Sequence, residues 1–229
     1  MVFGVITAAG SGLRLRGENP KFEIDILGRP LVLYALEAFQ RAPSVKSVIL
    51  VIPPDRLAAW PVSRLREAGM EKIVAVVAGG STRQESVRLA LEEIADEGGT
   101  VVVHDGARPL VTPEMIETVC DAARGEEAVI TAVPLTDTVK EVEAGGVVRT
   151  LDREKLVSVQ TPQAFSLSAL REAHARARQA AFRGTDDASL VEWLGKSVKV
   201  IDGSRENIKV TYPEDLLAAI AILSERMGI

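Results

Sequence analysis

The first 133 residues contain five short apolar runs, and the segments between them have apolar residues at helical spacing. The runs are Val2–Thr7, Val45–Ile52, Ile73–Ala78, 101–104 and 128–133. They are too short to cross a bilayer, and they are solid rather than alternating, which is typical of parallel strands covered on both faces. We therefore predict one α/β domain over 1–229, with a Rossmann-like, mostly parallel sheet and helices on both faces.

Apolar residues between and after these runs recur with the period of a helix. Helices are predicted over 30–41, 55–68, 113–124, 167–181, 187–194 and 213–227, and strands over 157–161 and 198–202. Ser81-Thr82-Arg83-Gln84 resembles a capping box, so a further helix should run from there to Glu93. Ligands of such sheets bind beyond the carboxyl ends of the strands, so the loops after the strands should carry the chemistry.

The pattern changes after Pro134. Residues 138–143 and 147–151 alternate between apolar and polar and flank Ala144-Gly145-Gly146, a turn signal. We predict a β-arm at about 135–153 that projects from the sheet; the alternative is an ordinary hairpin within it. An isolated hairpin buries little of its own apolar surface, so the arm should serve as the contact of a homodimer.

Charge, histidine and cysteine content exclude several classes of function. The formal net charge of −5 argues against nucleic acid as the main partner. Cys120 is the only cysteine, so no intrachain disulfide can form, and we expect a buried, inert thiol. We interpret His104 as a packed strand residue and His174 as solvated, so a His–Cys metal site is not expected. The opening segment lacks a basic leader, which predicts a cytoplasmic protein without a membrane partner.

The first strand runs into a glycine-containing loop, Thr7-Ala8-Ala9-Gly10-Ser11-Gly12-Leu13-Arg14. Small residues let backbone N–H groups approach phosphate oxygens, and Arg14 adds positive charge. The loop is not a dinucleotide fingerprint, because Leu15 stands where the third glycine is required, and it lacks the Gly-Lys-Ser/Thr of a Walker loop.

Further motifs follow in order. Pro20-Lys21 and Leu27-Gly28-Arg29-Pro30-Leu31 complete a pattern that resembles the sugar-nucleotide pyrophosphorylase type of nucleotidyltransferase. Five more segments resemble the 2-C-methyl-D-erythritol 4-phosphate cytidylyltransferases: GGSTRQESV at 79–87, VHDGARP at 103–109, DTVK at 137–140, TPQ at 161–163 and NIKVT at 207–211. The resemblance extends from the first strand to the last helix.

This resemblance implies transfer of CMP from CTP to 2-C-methyl-D-erythritol 4-phosphate, with release of pyrophosphate, in the non-mevalonate route to isoprenoid precursors. It implies Mg²⁺, bound mainly through the CTP phosphates, and an interlocked homodimer. Asp105 ends the fourth predicted strand, where a carboxylate can contact ribose or help hold Mg²⁺; the alternative is a turn-forming residue before Gly106. The implied catalytic residues are Arg14, Lys21, Arg153 and Lys209. The implied CTP contacts are Ala8, Ala9, Gly10, Ser11, Gly12, Gly80, Ser81, Arg83, Ser86 and Asp105. The implied acceptor contacts are Arg108, Thr138, Arg153, Thr161 and Lys209.

Two residues depart from the family pattern. Phe22 stands where the family commonly has Gln, and Ser81 stands where it often has Asp. Three alternative functions stay open from the sequence: a ribitol 5-phosphate cytidylyltransferase, an NAD-dependent oxidoreductase and a non-catalytic nucleotide-binding regulator. Leu15 argues against the oxidoreductase, and the cations Arg14, Lys21 and Lys209 argue against the regulator.

Overall fold

A seven-stranded sheet forms the centre of the computed structural model, which describes residues 1–10 and 20–229. In chain order the strands are β1 Val2–Thr7, β2 Asp25–Ile26, β3 Arg29–Pro30, β4 Val45–Ile52, β5 Ile73–Ala78, β6 Thr100–Asp105, β7 Ala128–Pro134, β8 Lys140–Glu143, β9 Gly146–Thr150, β10 Val157–Ser166 and β11 Lys199–Asp202. The helices are α1 Leu31–Arg41, α2 Val62–Glu67, α3 Arg83–Glu92, α4 Pro113–Ala122, α5 Leu167–Gln179, α6 Asp187–Trp193 and α7 Pro213–Met227.

The order of the strands in the sheet is β11-β7-β10-β6-β1-β4-β5. All neighbours pair in parallel except β10, which runs antiparallel to both β6 and β7. The mostly parallel sheet is therefore confirmed. Strand β10 extends to Ser166, five residues beyond the predicted end at 161, because its second half pairs with β6 and β7 together.

Helices cover both faces of this sheet, as predicted. Neighbouring residues of a strand point to opposite faces. Ile6 packs with α1 and α4 on one face, whereas Val5 packs with α3, α5 and α6 on the other. Cys120 of α4 is buried as expected, and burial raises the pKa of its thiol to about 12. None of the described helices is long and apolar enough to cross a membrane.

The predicted helix over 55–68 is wrong in one respect, because it is broken in the middle. A 3₁₀ turn covers Pro54–Ala59, and α2 begins only at Val62. Trp60 lies between them with φ −124° and ψ 50°, and Pro61 follows it. A residue that precedes proline avoids the helical region, which accounts for the break.

The hairpin after Pro134 forms a two-stranded sheet of its own, β8 with β9, and does not join the central sheet. The alternative of an ordinary hairpin within the main sheet is therefore wrong. Val142, Val147 and Val148 are 58%, 63% and 54% exposed. We call residues 135–153 the arm; its part in dimerisation stays a prediction.

Candidate active site

The loops at the carboxyl ends of β1, β5 and β6 enclose a cavity of about 600 Å³. Parallel strands end at the same edge of a sheet, so these loops converge where the sequence predicts the chemistry. The wall is formed by Thr7, Ala8, Ala9, Gly10, Lys21, Phe22, Gly80, Ser81, Thr82, Arg83, Ser86, Asp105, Gly106, Ala107, Lys209 and Thr211. Ten of the residues implied by the resemblance are thus brought together.

Close approach of the strand ends explains the small residues of the wall. A Cβ atom on Gly79 would lie 2.1 Å from Cβ of Ala9, and one on Gly106 would lie 3.1 Å from Cβ of Ala8. A side chain at Gly79 would therefore force the loops after β1 and β5 apart. The glycines serve here to bring backbone groups of separate loops to one cavity.

Asp105, the last residue of β6, is part of the cavity wall and binds two cationic side chains. Its Oδ1 accepts a hydrogen bond from Arg83 Nε at 2.9 Å, and its Oδ2 accepts one from Lys209 Nζ at 2.6 Å. Burial acts to raise the pKa of Asp105, but the charges of Arg83 and Lys209 outweigh it and hold that pKa well below its ordinary value. Asp105 is therefore ionised at neutral pH and fixes two cations at the cavity.

Arg83 has a second acidic partner that the sequence analysis missed. Its Nη1 donates to Oδ2 of Asp187 at 2.6 Å, and Nε2 of His174 lies 3.0 Å from the other oxygen, Oδ1. His174 is 2% exposed, so the prediction of a solvated His174 is wrong. The cavity wall thus continues into the interior as one connected set of ion pairs and hydrogen bonds, which we call the ionic cluster: Lys209, Asp105, Arg83, Asp187 and His174.

The loop after β5 is held by a different cap from the one predicted. Thr82 is the N-cap of α3 and its hydroxyl accepts the N–H of Glu85 at 3.1 Å, so the box proposed from Ser81 to Gln84 is wrong. The Glu85 carboxylate accepts both the N–H of Ser81 at 2.7 Å and its hydroxyl at 2.8 Å. Ser86 accepts the N–H of Gly80 at 3.1 Å. Glu85 therefore orients Ser81, the residue that stands where the family often has Asp.

Lys21 opens a 3₁₀ turn, Lys21–Glu23, at the rim of the cavity. The next residue, Phe22, contributes to the wall but is only 2% exposed, and its ring centroid lies 5.2 Å from that of Trp60. The departure at Phe22 therefore places an apolar side chain in the core. Three residues of the preceding loop that the sequence analysis selected, Ser11, Gly12 and Arg14, lie outside the described residues.

The residues assigned to the acceptor divide into two groups. Arg108 and Thr161 are buried behind the cavity: Arg108 Nη1 donates to the carbonyl of Asn207 at 2.6 Å, and the Thr161 hydroxyl accepts the N–H of Asp105 at 3.0 Å. Thr138 and Arg153 are exposed on the arm, outside the described wall of the cavity. Arg153 donates to the carbonyl of Thr136, within the arm, at 2.6 Å.

His104 is packed behind Asp105, as predicted. Its Nδ1 lies 3.1 Å from the Thr161 hydroxyl, and its Nε2 lies 3.1 Å from the carbonyl of Arg108. Burial lowers the pKa of His104 to about 4, so the ring is neutral at physiological pH. A neutral ring with both nitrogens in contact with protein groups supports the wall.

Asp105 is the one acidic side chain in the described wall of the cavity, and the described residues contain no group of three or more metal-ligating side chains. An ionised carboxylate has about four lone-pair positions, so Asp105 can accept a further ligand beside Arg83 and Lys209. Magnesium ions commonly bind one or two carboxylates together with substrate phosphates. The site therefore fits a cation carried mainly by a nucleotide.

Comparisons with known proteins agree with this architecture. The family model described as 2-C-methyl-D-erythritol 4-phosphate cytidylyltransferase (IspD) matches residues 2–225. A relative of that name from Pelotomaculum thermopropionicum is 45% identical over 228 residues, which cover 99% of this chain and 96% of the relative. One from Syntrophus aciditrophicus is 42% identical over 228 residues, covering 99% and 97%.

Solved structures give the same result. The crystal structure of 2-C-methyl-D-erythritol 4-phosphate cytidylyltransferase from Thermus thermophilus has a TM-score of 0.78 at 34% identity, over 96% of this chain and 97% of that one. The 4-diphosphocytidyl-2C-methyl-D-erythritol synthase from Anaerococcus prevotii has a TM-score of 0.82 at 32% identity, over 97% and 96%.

Proposed function

The chain belongs to the 2-C-methyl-D-erythritol 4-phosphate cytidylyltransferase family, and we propose that the cavity around Asp105 is where its reaction takes place. The chain is a nucleotidyltransferase that passes CMP from CTP to 2-C-methyl-D-erythritol 4-phosphate, giving 4-diphosphocytidyl-2-C-methyl-D-erythritol and pyrophosphate. One observation carries the proposed site. Arg83 and Lys209 both donate to one ionised carboxylate, Asp105, in a cavity whose wall also includes Lys21 and glycine-containing loops.

In the proposed reaction a phosphate oxygen of the acceptor attacks the α-phosphorus of CTP. A bond forms between that oxygen and the α-phosphorus, the bond to the bridging oxygen of the β-phosphate breaks, and pyrophosphate leaves. The acceptor phosphate is already ionised at neutral pH, so no strong base is needed. Lys21, with Arg14 of the undescribed loop, stabilises the negative charge that builds on the α-phosphoryl oxygens.

The remaining wall residues bind and orient the substrates. Backbone N–H groups of the Ala8–Gly12 loop approach the triphosphate, and Gly80, Ser81 and Ser86 present polar groups to cytosine, with Arg83 adjacent. Asp105 fixes Lys209 toward the acceptor phosphate, with Arg108 and Thr161 supporting the same wall. Mg²⁺, carried by the triphosphate with Asp105 as the available carboxylate, supplies further neutralisation of phosphate charge when bound.

A second copy of the chain completes the acceptor side. We base this on the arm, because its three exposed valines leave an apolar surface uncovered and because Thr138 and Arg153 lie on it rather than at the cavity. Two-fold dimers are the commonest soluble oligomers, and a hairpin of this size is marginal alone. Each arm would carry Thr138 and Arg153 to the acceptor side of its partner's cavity. We further propose that the enzyme acts in the cytoplasm.

A pyrophosphate-release assay tests the activity and its selectivity. CTP is paired in turn with 2-C-methyl-D-erythritol 4-phosphate and with ribitol 5-phosphate, and UTP, ATP and GTP are then offered with the better acceptor. We expect turnover with CTP and the methylerythritol phosphate that stops when EDTA removes the divalent cation. Equal turnover with ATP would contradict the proposed base contacts, and a preference for ribitol 5-phosphate would contradict the acceptor.

A further inference from the structure

Trp60 lies at the break between the Pro54–Ala59 turn and α2, and its side chain reaches the turn that carries Lys21. A continuous helix over 55–68 would place this residue in regular helical geometry. The break caused by Pro61 instead leaves Trp60 8% exposed, in the same buried cluster as Phe22. The break in the predicted helix thus lets Trp60 connect two segments that are distant in sequence, at the rim of the cavity.

Contacts from Trp60 and Arg56 hold the central and last residues of the Lys21–Glu23 turn. The Trp60 ring packs against Phe22 at 5.2 Å between centroids and an interplanar angle of 59°. Its indole N–H donates to Oε1 of Glu23 at 2.7 Å, while Arg56 pairs with the other oxygen of Glu23 at 3.4 Å. The two residues that follow Lys21 are therefore both fixed by one indole, the first by packing and the second by a hydrogen bond.

We propose that Trp60 is a positioning residue for Lys21: it holds the Lys21–Glu23 turn so that the lysine faces the cavity. This rests on the proposed catalytic role of Lys21. A flexible lysine stabilises a transition state only when its backbone is fixed, and a displacement of about 1 Å at a reacting group can cost up to about 100-fold in rate. Phe22, which stands where the family commonly has Gln, supplies the apolar surface against which Trp60 packs.

The substitution Trp60→Phe tests this, because it keeps a ring against Phe22 and removes the donor to Glu23. We expect kcat to fall about tenfold through misplacement of Lys21, with KM for CTP changed less than twofold. Trp193→Phe is the matched control, since the only other tryptophan stacks on Phe182 at 4.7 Å, outside the described cavity wall. An equal fall in kcat for Trp193→Phe would overturn the proposal.

A double variant separates positioning from general damage. If Trp60 acts through Lys21, adding Trp60→Phe to Lys21→Ala lowers kcat no further, whereas a loss of overall integrity would lower it again and overturn the proposal. Glu23 provides an independent pair of variants. Glu23→Gln keeps an acceptor for the indole and should retain near wild-type kcat, while Glu23→Leu should reproduce the tenfold fall.

Amide hydrogen exchange reports on the turn without any activity. Glu23 N–H donates to the carbonyl of Pro20 and Ile24 N–H to that of Lys21, at 2.9 and 3.2 Å. Both amides should exchange at least fivefold faster in Trp60→Phe and at the wild-type rate in Trp193→Phe. Unchanged exchange in Trp60→Phe overturns the positioning role. A wild-type protein that releases no pyrophosphate, with exchange as expected, would refute the proposed function and leave the anchoring of the turn established.

Discussion

The ionic cluster and the arm both pair opposite charges, yet their surroundings differ completely. Asp187 is fully buried between Arg83 and His174, whereas Arg149 and Glu141 of the arm pair through side chains that are 68% and 47% exposed. Water screens the arm pair, whereas the inner end of the cluster, at Asp187 and His174, is shielded from water. The cluster is therefore a fixed support for the cavity within one chain, and the arm is an accessible surface suited to meeting another.

Matched neutral substitutions should separate the two regions most strongly. Asp187→Asn removes the buried acid and leaves the partly exposed Arg83 with Asp105 as its one acidic partner, so it should lower the free energy of unfolding by up to about 3 to 5 kcal/mol. Glu141→Gln removes the acid of the exposed pair and should lower it by less than about 1 kcal/mol. Urea denaturation of both variants measures the difference, and equal losses would contradict the contrast between the regions.

Acid should weaken the buried region through His104, which has no counterpart on the arm. The unfolded chain binds a proton at His104 below its ordinary pKa of about 6.5, while the folded chain does so only below about 4. Stability should therefore fall as the pH drops through this window, by about 3 kcal/mol in all.

The variant His104→Gln provides the control for the pH effect, because glutamine does not titrate. Its urea midpoint should change much less between pH 6.5 and pH 4 than that of the wild type. Asp105 and Asp187 have lowered pKa values, so their contribution is present above about pH 4 and is lost only at lower pH. A wild-type profile that is flat from pH 6.5 to pH 4 would contradict the buried neutral histidine.

A substitution on the arm should weaken association between chains, with a smaller free-energy change per chain than the changes expected in the buried region. Val147 is 63% exposed, and burying a valine contributes about 1.5 kcal/mol or more, so Val147→Asp should weaken dimers at least about tenfold. Val200→Asp, at a 51% exposed valine of β11, is the control and should leave association unchanged. Sedimentation over a range of concentrations measures both, and identical behaviour would exclude the arm as the dimer contact.

The sheet could be predicted from the sequence because its signal is local. Solid apolar runs identify β1, β4 and β5 to the residue, since each run forms one whole strand of the central sheet. The direction of β10 could not be predicted in this way. It depends on how the chain returns from the arm, and pairing with β6 and β7 involves residues far apart in sequence.

The same distinction applies to the site. The glycine-containing loops were identified because a backbone that must approach a ligand needs particular residues at particular positions. Asp187 was missed because its partner Arg83 is 104 residues away and its position suggested only the start of a helix. A signal for His174 did exist. Leu170, Ala173, His174 and Ala177 share helical spacing and form one buried face of α5.

The shared active site is the central claim of this account, and a mixed-dimer experiment tests it most directly. Lys21→Ala and Arg153→Ala should each lower kcat about 100-fold or more. The first removes the positive charge that stabilises the transition state, and the second removes a positive charge from the acceptor site. As a control, the double variant Lys21→Ala/Arg153→Ala is mixed with wild type, and its hybrids should contain no intact site.

Mixing the two single variants and letting subunits exchange gives hybrids in which one cavity has both Lys21 and the partner's intact arm. With random exchange, half of the dimers are hybrids with one of two sites intact, so about a quarter of wild-type activity should return. Pyrophosphate release from the mixture that stays at the level of the separate variants, once exchange has been verified by mass spectrometry, would contradict a site built from two chains.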